Sequence, residues 1–134
     1  MQFRSVGKVA LGLALVLAVA GQANAAGDPA AGEKAFKGKC GACHNATEAK
    51  NKVGPSLMGV YDRKAGMAAD FKYSDAMKNS GITWDEAALD EYLKDPKGKV
   101  PGNKMAYPGL KDDTKRADVI AYLSQIGADG KLPQ

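Results

Sequence analysis

Both cysteines and the only histidine of the chain lie within five consecutive residues, Cys40-Gly41-Ala42-Cys43-His44. Two thiols about one helical turn apart can each bond one of two vinyl groups on the same edge of a porphyrin. The C-x-x-C-H pattern is accordingly the attachment signature of c-type haem, and the histidine that follows can serve as an axial ligand of the iron. The spacing therefore predicts one covalent haem c, bonded to Cys40 and Cys43, with His44 on the iron.

Three other kinds of site could use the same residues. A structural disulfide is possible in an exported protein, but it would leave His44 without a role. A thioredoxin-like redox pair needs a βαβ context, which the sequence does not predict. A zinc site usually needs four ligands, and the motif offers only three. Haem attachment accounts for all three side chains.

A second axial ligand would have to come from elsewhere, and the usual alternative to histidine is a methionine thioether. Past residue 25 the candidates are Met58, Met67, Met77 and Met105. Met58 follows the histidine closely, Met67 lies in a Gly/Ala-rich loop, and Met77 falls in a predicted short helix. Met105 lies in a Pro- and Gly-rich loop long enough to cross the opposite face of the ring. It is the predicted ligand, although a methionine there could also be a hydrophobic plug.

The elements that must position these residues are predicted to be helical, because no stretch shows the alternation of a half-buried strand. A first helix begins with Asp28 as its N-cap and Pro29 at the first helical position. Its spacing brings Gly32, Phe36 and Cys40 onto one face.

Two more helices are expected in the middle of the chain. Residues 83–86, Thr-Trp-Asp-Glu, have the pattern of a capping box, which predicts a helix that starts at Thr83 and ends before Pro96. A short helix is expected over residues 75–79, between a serine and a glycine.

The last helix is expected to be capped by Asp112 or Asp113 and to end near Gly127. Its apolar stripe consists of Val119, Tyr122, Leu123 and Ile126. The remaining residues, mainly 45–73 and 95–111, are predicted to be loops. Loops this long are uncommon in a small domain unless they have a function, so we expect them to wrap the haem.

The N-terminal segment has the organisation of a secretory signal peptide. Arg4 and Lys8 precede an apolar run of 12 residues, Val9–Ala20, and Ala23-Asn24-Ala25 is a typical cleavage site. A transmembrane helix needs about 20 apolar residues, so an uncleaved anchor is the weaker reading. We predict that residues 1–25 are removed and that residues 26–134 form one domain.

The charge of that domain argues against some partners. Without residues 1–25, Lys plus Arg falls from 19 to 17 while Asp plus Glu stays at 15, which leaves a net charge of +2. A charge of this size does not predict nucleic-acid binding, and the sequence has no stripe of alternating basic and aromatic residues that would support it. Large aliphatic residues are few, and small domains of that kind usually need a cofactor, a metal or a disulfide to fold.

Taken together, residues 28–127 resemble the class I cytochromes c, and most closely the bacterial cytochrome c2 type and its mitochondrial relatives. The matching positions are Gly32 and Phe36, Cys40–His44, Gly54-Pro55-Ser56-Leu57, Tyr73, Gly81-Ile82-Thr83-Trp84, Tyr92-Leu93, Pro101-Gly102-Asn103-Lys104-Met105 and Ile120-Ala121-Tyr122-Leu123. The resemblance implies an all-α fold, with three main helices, one or two short ones, and long loops around a covalent haem.

The resemblance also implies roles for individual residues. Cys40 and Cys43 would form the thioethers, and His44 and Met105 would be the axial ligands. The Pro55 carbonyl would accept a hydrogen bond from the histidine ring.

Other residues would surround the haem. Arg63, Tyr73 and Trp84 would bind or neutralise a propionate. Tyr92 and Asn103 would lie near the methionine sulfur.

A haem with two protein axial ligands is implied to carry electrons rather than to act as an enzyme. A haem peroxidase or a gas sensor would need an open or displaceable sixth site, and a cytochrome c′ would carry its motif near the C-terminus. The implied role is that of a soluble, monomeric periplasmic shuttle. It would carry electrons from a quinol–cytochrome c oxidoreductase to a photosynthetic reaction centre or a terminal oxidase. A set of lysines would steer the haem edge to acidic faces of these membrane complexes: Lys37, Lys39, Lys97, Lys99 and Lys104.

Overall fold

The computed structural model describes residues 27–133, and the predicted signal peptide lies outside them. Within this range five helices follow in order: α1 (Pro29–Lys39), α2 (Asp75–Lys78), α3 (Glu86–Lys94), α4 (Pro96–Lys99) and α5 (Asp113–Ser124). Three are long and two have four residues each, so the all-α prediction is confirmed. Within the described range no helix has the length and apolar character needed to cross a bilayer.

The two terminal helices, α1 and α5, cross each other and begin at the predicted caps. Asp28 accepts from the N–H of Ala30 at the start of α1, and Asp112 accepts from the N–H of Lys115 at the start of α5. A Cβ on Gly32 would lie 1.9 Å from the Asp118 carbonyl oxygen. Only glycine therefore allows the two backbones to approach this closely.

An aromatic contact completes this crossing. The rings of Phe36 and Tyr122 lie 5.6 Å apart. The four residues of the predicted apolar stripe are all buried, as expected: Val119, Tyr122, Leu123 and Ile126. The helix ends at Ser124, earlier than predicted, so Ile126 lies just beyond it.

The predicted start of α3 at Thr83 is wrong. The N-cap is Asp85, whose side chain accepts from the N–H of Ala88. Thr83 instead forms an isolated antiparallel bridge with Lys64, and the N–H of Trp84 donates to the Arg63 carbonyl at 2.8 Å. This pairing holds the residues before Asp85 in extended conformation, so the helix cannot begin earlier.

The second predicted loop also contains a short helix, α4. Asp95 caps both sides of the junction: it ends α3, and its side chain accepts from the N–H of Gly98 in α4. The helix before Pro96 therefore ends as predicted, because proline cannot continue it. The loop that remains, residues 100–111, follows α4 directly and carries Met105.

Candidate haem site

The C-x-x-C-H segment continues from the end of α1. Cys40 is the C-cap of that helix, and its carbonyl accepts from the N–H groups of Cys43 and His44 at 3.1 and 2.9 Å. This extra turn brings both thiols and the imidazole to the wall of one cavity. Both cysteines are free. Burial, with a smaller contribution from the charge of Cys43, raises the pKa of the Cys40 thiol to about 11.

The ring of His44 is held in one orientation by the backbone of the next loop. Its Nδ1 lies 2.7 Å from the Pro55 carbonyl oxygen. Because a carbonyl can only accept, Nδ1 carries the proton and the lone pair of Nε2 remains available. A Cβ on Gly54 would lie 2.3 Å from the ring atom Cε1, so a glycine is needed beside the imidazole. Burial lowers the pKa of His44, partly opposed by the bond to Pro55, which favours the neutral ligand form.

The cavity has a volume of about 310 Å³ and mainly apolar walls. All ten residues predicted for the site line it: Cys40, Cys43, His44, Pro55, Arg63, Tyr73, Trp84, Tyr92, Asn103 and Met105. They come from the C-terminal end of α1, from α3 and from three loops, so the fold brings together residues that are up to 65 positions apart in sequence.

Several lining residues were not predicted. Phe71 packs edge-on against Tyr73 with ring centres 4.9 Å apart, and Leu57, Leu89 and Leu123 add apolar surface. An aromatic residue two positions before Tyr73 was a signal that could have identified Phe71. The leucines look like ordinary core residues in the sequence.

Of the four candidate methionines, only Met77 and Met105 line the cavity. Met67 is 63% exposed. Met77 is buried in α2, where the Ser74 side chain accepts from its backbone N–H. Met105 differs because its sulfur lies 3.9 Å from the hydroxyl oxygen of Tyr92.

The backbone around Met105 is fixed by Asn103, which is itself buried. Asn103 Oδ1 accepts from the N–H of Met105 at 2.8 Å. Its Nδ2 donates to the carbonyls of Pro96 and Val100, each at 2.8 Å. One side chain thus connects α4 to the segment that carries the predicted ligand.

Two polar side chains of the cavity wall, Arg63 and Tyr73, have donor groups that are not used within residues 27–133. Arg63 donates from Nη1 to the Met58 carbonyl at 2.9 Å, while its buried Nε finds no acceptor among the described residues. The hydroxyl of Tyr73 accepts from the N–H of Ala68 at 3.0 Å, so its own proton can still be donated.

These groups fit a haem c. Two thiols, one neutral imidazole and one thioether line an apolar cavity, and the orphaned Arg63 N–H suits a carboxylate such as a propionate. The zinc alternative finds no support in residues 27–133, which contain no cluster of three or more potential metal ligands among His, Cys, Asp and Glu.

The five predicted docking lysines fall into two groups. Lys39 and Lys104 line the cavity. Lys37 pairs with Glu33 at 2.6 Å, and Lys99 pairs with Glu91. The ammonium of Lys97 lies 2.5 Å from the Asn103 carbonyl oxygen. Three of the five are therefore engaged within the chain. The spacing of Glu33 and Lys37 on one helix indicates the first pair, whereas the contacts of Lys97 and Lys99 depend on the fold.

Comparison with known proteins gives one consistent picture. The family model described as cytochrome c matches residues 29–127. The chain is 54% identical over 130 residues to cytochrome c-554 of Methylosinus trichosporium, covering 96% of this chain and 98% of that protein. It is 59% identical over 106 residues to cytochrome c2 of Rhodoblastus acidophilus, covering 78% of this chain and 98% of that protein. Among solved structures, cytochrome cH from Methylobacterium extorquens matches with 57% identity and a TM-score of 0.69, covering 73% of this chain and 98% of that one.

Proposed function

Since this chain belongs to the cytochrome c family, we propose that it shuttles single electrons between membrane redox complexes of the periplasm. Family membership gives it one covalently bound haem c and the general role of an electron carrier. The haem supplies a centre that takes up and releases one electron at a time. The observation that carries the proposal is the convergence of Cys40, Cys43, His44 and Met105 on one apolar cavity.

Cys40 and Cys43 are the residues that we assign to covalent attachment, and His44 is assigned to the iron. The hydrogen bond from Nδ1 to the Pro55 carbonyl, at 2.7 Å, leaves Nε2 as the donor atom for the metal. It also fixes the ring orientation and increases the basicity of the ligand, as such partners commonly do for metal-bound histidines.

Met105 is the residue that we assign as the second ligand of the iron, because it lines the same cavity as His44. Tyr92, whose hydroxyl lies 3.9 Å from the sulfur, and Asn103, which binds the Met105 backbone, would hold it there. If His44 and Met105 both bind the iron, protein atoms would hold the positions that oxygen or peroxide would need, which would leave electron transfer. The soft thioether and the apolar surroundings both favour the less charged, reduced iron and so raise the potential.

Arg63, Tyr73 and Trp84 are assigned to a haem propionate. The Nε of Arg63, which has no acceptor within residues 27–133, and the hydroxyl proton of Tyr73 can each donate to a carboxylate. A charge-assisted bond of this kind would offset the cost of burying the carboxylate.

We further propose that the partners present acidic faces and that the complex is transient, with the protein itself a monomer. Lys39 and Lys104 are the main docking residues within the predicted set, because they line the cavity whose exposed edge the partner would approach. Lys37 and Lys99 are paired with carboxylates, so they would contribute less. The partners would be a quinol–cytochrome c oxidoreductase and either a photosynthetic reaction centre or a terminal oxidase.

Export to the periplasm with cleavage after Ala25 remains part of the proposal. It is supported by the charge and apolar pattern of the first 25 residues. Intact-mass spectrometry of the exported protein tests it, with an expected mass of residues 26–134 plus one haem. A mass that includes residues 1–25, or that lacks the haem, would contradict it.

The axial assignment is tested by Met105→Ala. The variant should keep its covalent haem, bind carbon monoxide readily when reduced, and lose the weak red absorption band of methionine bound to ferric iron. The matched control is Met77→Ala, which removes the other methionine of the cavity wall. It should leave the band and the carbon monoxide reactivity unchanged. If Met77→Ala behaves as predicted for Met105→Ala, the ligand has been misassigned.

The docking assignment is tested by charge reversal. Lys39→Glu and Lys104→Glu should slow electron transfer to an acidic partner at low salt, and the slowing should shrink as the Debye length falls to about 8 Å near physiological salt. Lys37→Glu, at a lysine already paired with Glu33, is the control and should have a smaller effect. Equal slowing by all three in stopped-flow measurements would show that only net charge matters.

A further inference from the structure

Arg116, in the first turns of α5, is a buried cation with three different acceptors. Its side chain is only 4% exposed. Nε donates to Asp90 on α3 and Nη2 donates to Asp113, both at 2.6 Å. Nη1 donates to the Leu110 carbonyl at 2.9 Å. The planar guanidinium, with its fixed fork of donors, suits such an arrangement better than lysine would.

The acceptor Leu110 lies near the end of the loop that carries Met105, and it is fixed from two sides. Its N–H donates to the Leu93 carbonyl at 2.7 Å, which ties it to α3, and its carbonyl accepts from Arg116 on α5. The preceding Gly109 is pressed onto the end of α3: a Cβ there would lie 2.2 Å from the Lys94 carbonyl oxygen. Five residues after Met105, the chain is therefore attached to two helices.

The other end of the same stretch is held by Asn103, through its bonds to Pro96 and Val100. Between these two attachments, residues 104–109 make one backbone hydrogen bond within the described part of the chain, from Met105 N–H to Asn103 Oδ1. The position of the sulfur thus depends mainly on the two ends of the stretch.

Surface ion pairing alone is a weak explanation for Arg116. The side chains of Asp90 and Asp113 are 46% and 82% exposed, and water can solvate these carboxylates without the arginine. The group that depends on Arg116 is the buried carbonyl of Leu110, because a buried acceptor that loses its donor is costly.

We propose that Arg116 is a positioning residue for the axial methionine. By fixing Leu110, it limits how far the segment from Lys104 to Gly109 can move away from the haem. The inference rests on the proposed role of Met105, and it adds that a side chain on α5 determines how readily that ligand is displaced.

The experiment measures imidazole binding to the oxidised holoprotein by its absorption spectrum. Imidazole can bind only when Met105 has left the iron, so the apparent affinity rises with the population of the displaced state. Arg116→Met, which removes all three donors but keeps an unbranched side chain, should raise the imidazole affinity about tenfold, equivalent to about 1.4 kcal/mol.

Two further variants separate positioning from general stability. Tyr122→Leu weakens the α1–α5 contact and should lower the guanidinium unfolding midpoint without changing the imidazole affinity. Arg116→Lys keeps the positive charge but cannot bond all three acceptors at once. Its imidazole affinity should therefore stay above that of the wild type, close to the value for Arg116→Met. If Arg116→Met does not fold, the comparison of Arg116→Lys with Tyr122→Leu gives the same test.

The proposal is overturned if Tyr122→Leu raises the imidazole affinity as much as the Arg116 variants at equal loss of stability. Full restoration of the wild-type affinity by lysine would also overturn it, because the charge alone would then suffice. Met105→Ala identifies a failure of the underlying assignment. If that variant binds imidazole no more tightly than the wild type, Met105 is not the ligand. If it binds more tightly while Arg116→Met matches Tyr122→Leu, only the role of Arg116 is wrong.

Discussion

The crossing of α1 and α5 and the two loops around the cavity are stabilised in different ways. At the crossing, protein atoms fill the available space: Gly32 allows close backbone approach, Phe36 and Tyr122 are in contact, and Val119 is only 1% exposed. The loop half, by which we mean residues 45–73 and 100–111, forms part of the wall of a cavity of about 310 Å³, which α3 and the C-x-x-C-H segment also line. The crossing is thus complete with the polypeptide alone, whereas the loop half needs the haem to fill its interior.

The hydrogen bonds of the loop half show the same difference. Polar side chains there bind backbone carbonyls, as Arg63 does with Met58 and Asn103 with Pro96. Such bonds contribute modestly to stability, but leaving the groups unpaired would be costly. They define the shape of the loops, while the burial of apolar surface, which contributes most to stability, must come from contacts with the haem.

The largest expected effect is that of removing the haem. At about 24 cal/mol per Å³ of cavity, the volume of about 310 Å³ corresponds to about 7 kcal/mol. This is comparable to the whole stability of a small domain, about 5–15 kcal/mol. A haem-free Cys40→Ala/Cys43→Ala chain should therefore lose its tertiary structure, as near-ultraviolet circular dichroism would report.

Amide hydrogen exchange on the haem-free chain sharpens the comparison. Any remaining protection should be in α1 and α5, and none should be found at Leu57, whose N–H donates to the Asn45 carbonyl in the folded protein. Persistent protection of Leu57 without haem would contradict the distinction between the two regions.

A smaller but still large effect is expected at the helix crossing. A side chain on Gly32 would collide with the Asp118 carbonyl, 1.9 Å from the new Cβ. Gly32→Val should lower the free energy of unfolding by about 3 kcal/mol or more, measured by guanidinium denaturation of the oxidised holoprotein.

The matched control lies on the same helix. A Cβ on Gly38 would have no neighbour within 4 Å, so Gly38→Ala should raise the free energy of unfolding by up to about 1 kcal/mol through helix propensity. Similar losses in both variants would show that the close approach at Gly32 is not what matters.

The smallest effect concerns the polarity of the cavity. Burial raises the pKa of Tyr92 to about 12 from an ordinary value of 10.0. The unfolded chain therefore releases the phenolic proton first, and the stability due to Tyr92 is intact below pH 10 and is lost as the pH rises towards 12. The loss should be about 1.4 kcal/mol per pH unit in that window.

Denaturation at several pH values checks this expectation. Tyr92→Phe should lose less stability between pH 10 and 12 than the wild type, because its ring cannot ionise. Identical pH dependence in the two proteins would mean that water reaches this side of the cavity and that the hydroxyl is not buried.

Local rules account for what the sequence predicted correctly about the helices. The caps at Asp28 and Asp112, and the end of α3 before Pro96, depend only on side-chain and backbone groups within a few residues of one another. Thr83 was assigned wrongly because residues 82–84 pair with residues 62–65, and no pattern near Thr83 indicates that partner.

The sequence by itself determined the haem chemistry and the ordered set of residues around it, because attachment depends on the short spacing from Cys40 to His44. Only the tertiary structure decided which other side chains bind the backbone around the site. It showed that Lys97 binds the Asn103 carbonyl and that Arg116 holds Leu110. Each of these contacts spans only six positions, but each depends on how the loop of residues 100–111 folds back onto a helix. Their partners are set by the packing of the whole chain, which residue type and spacing do not encode locally.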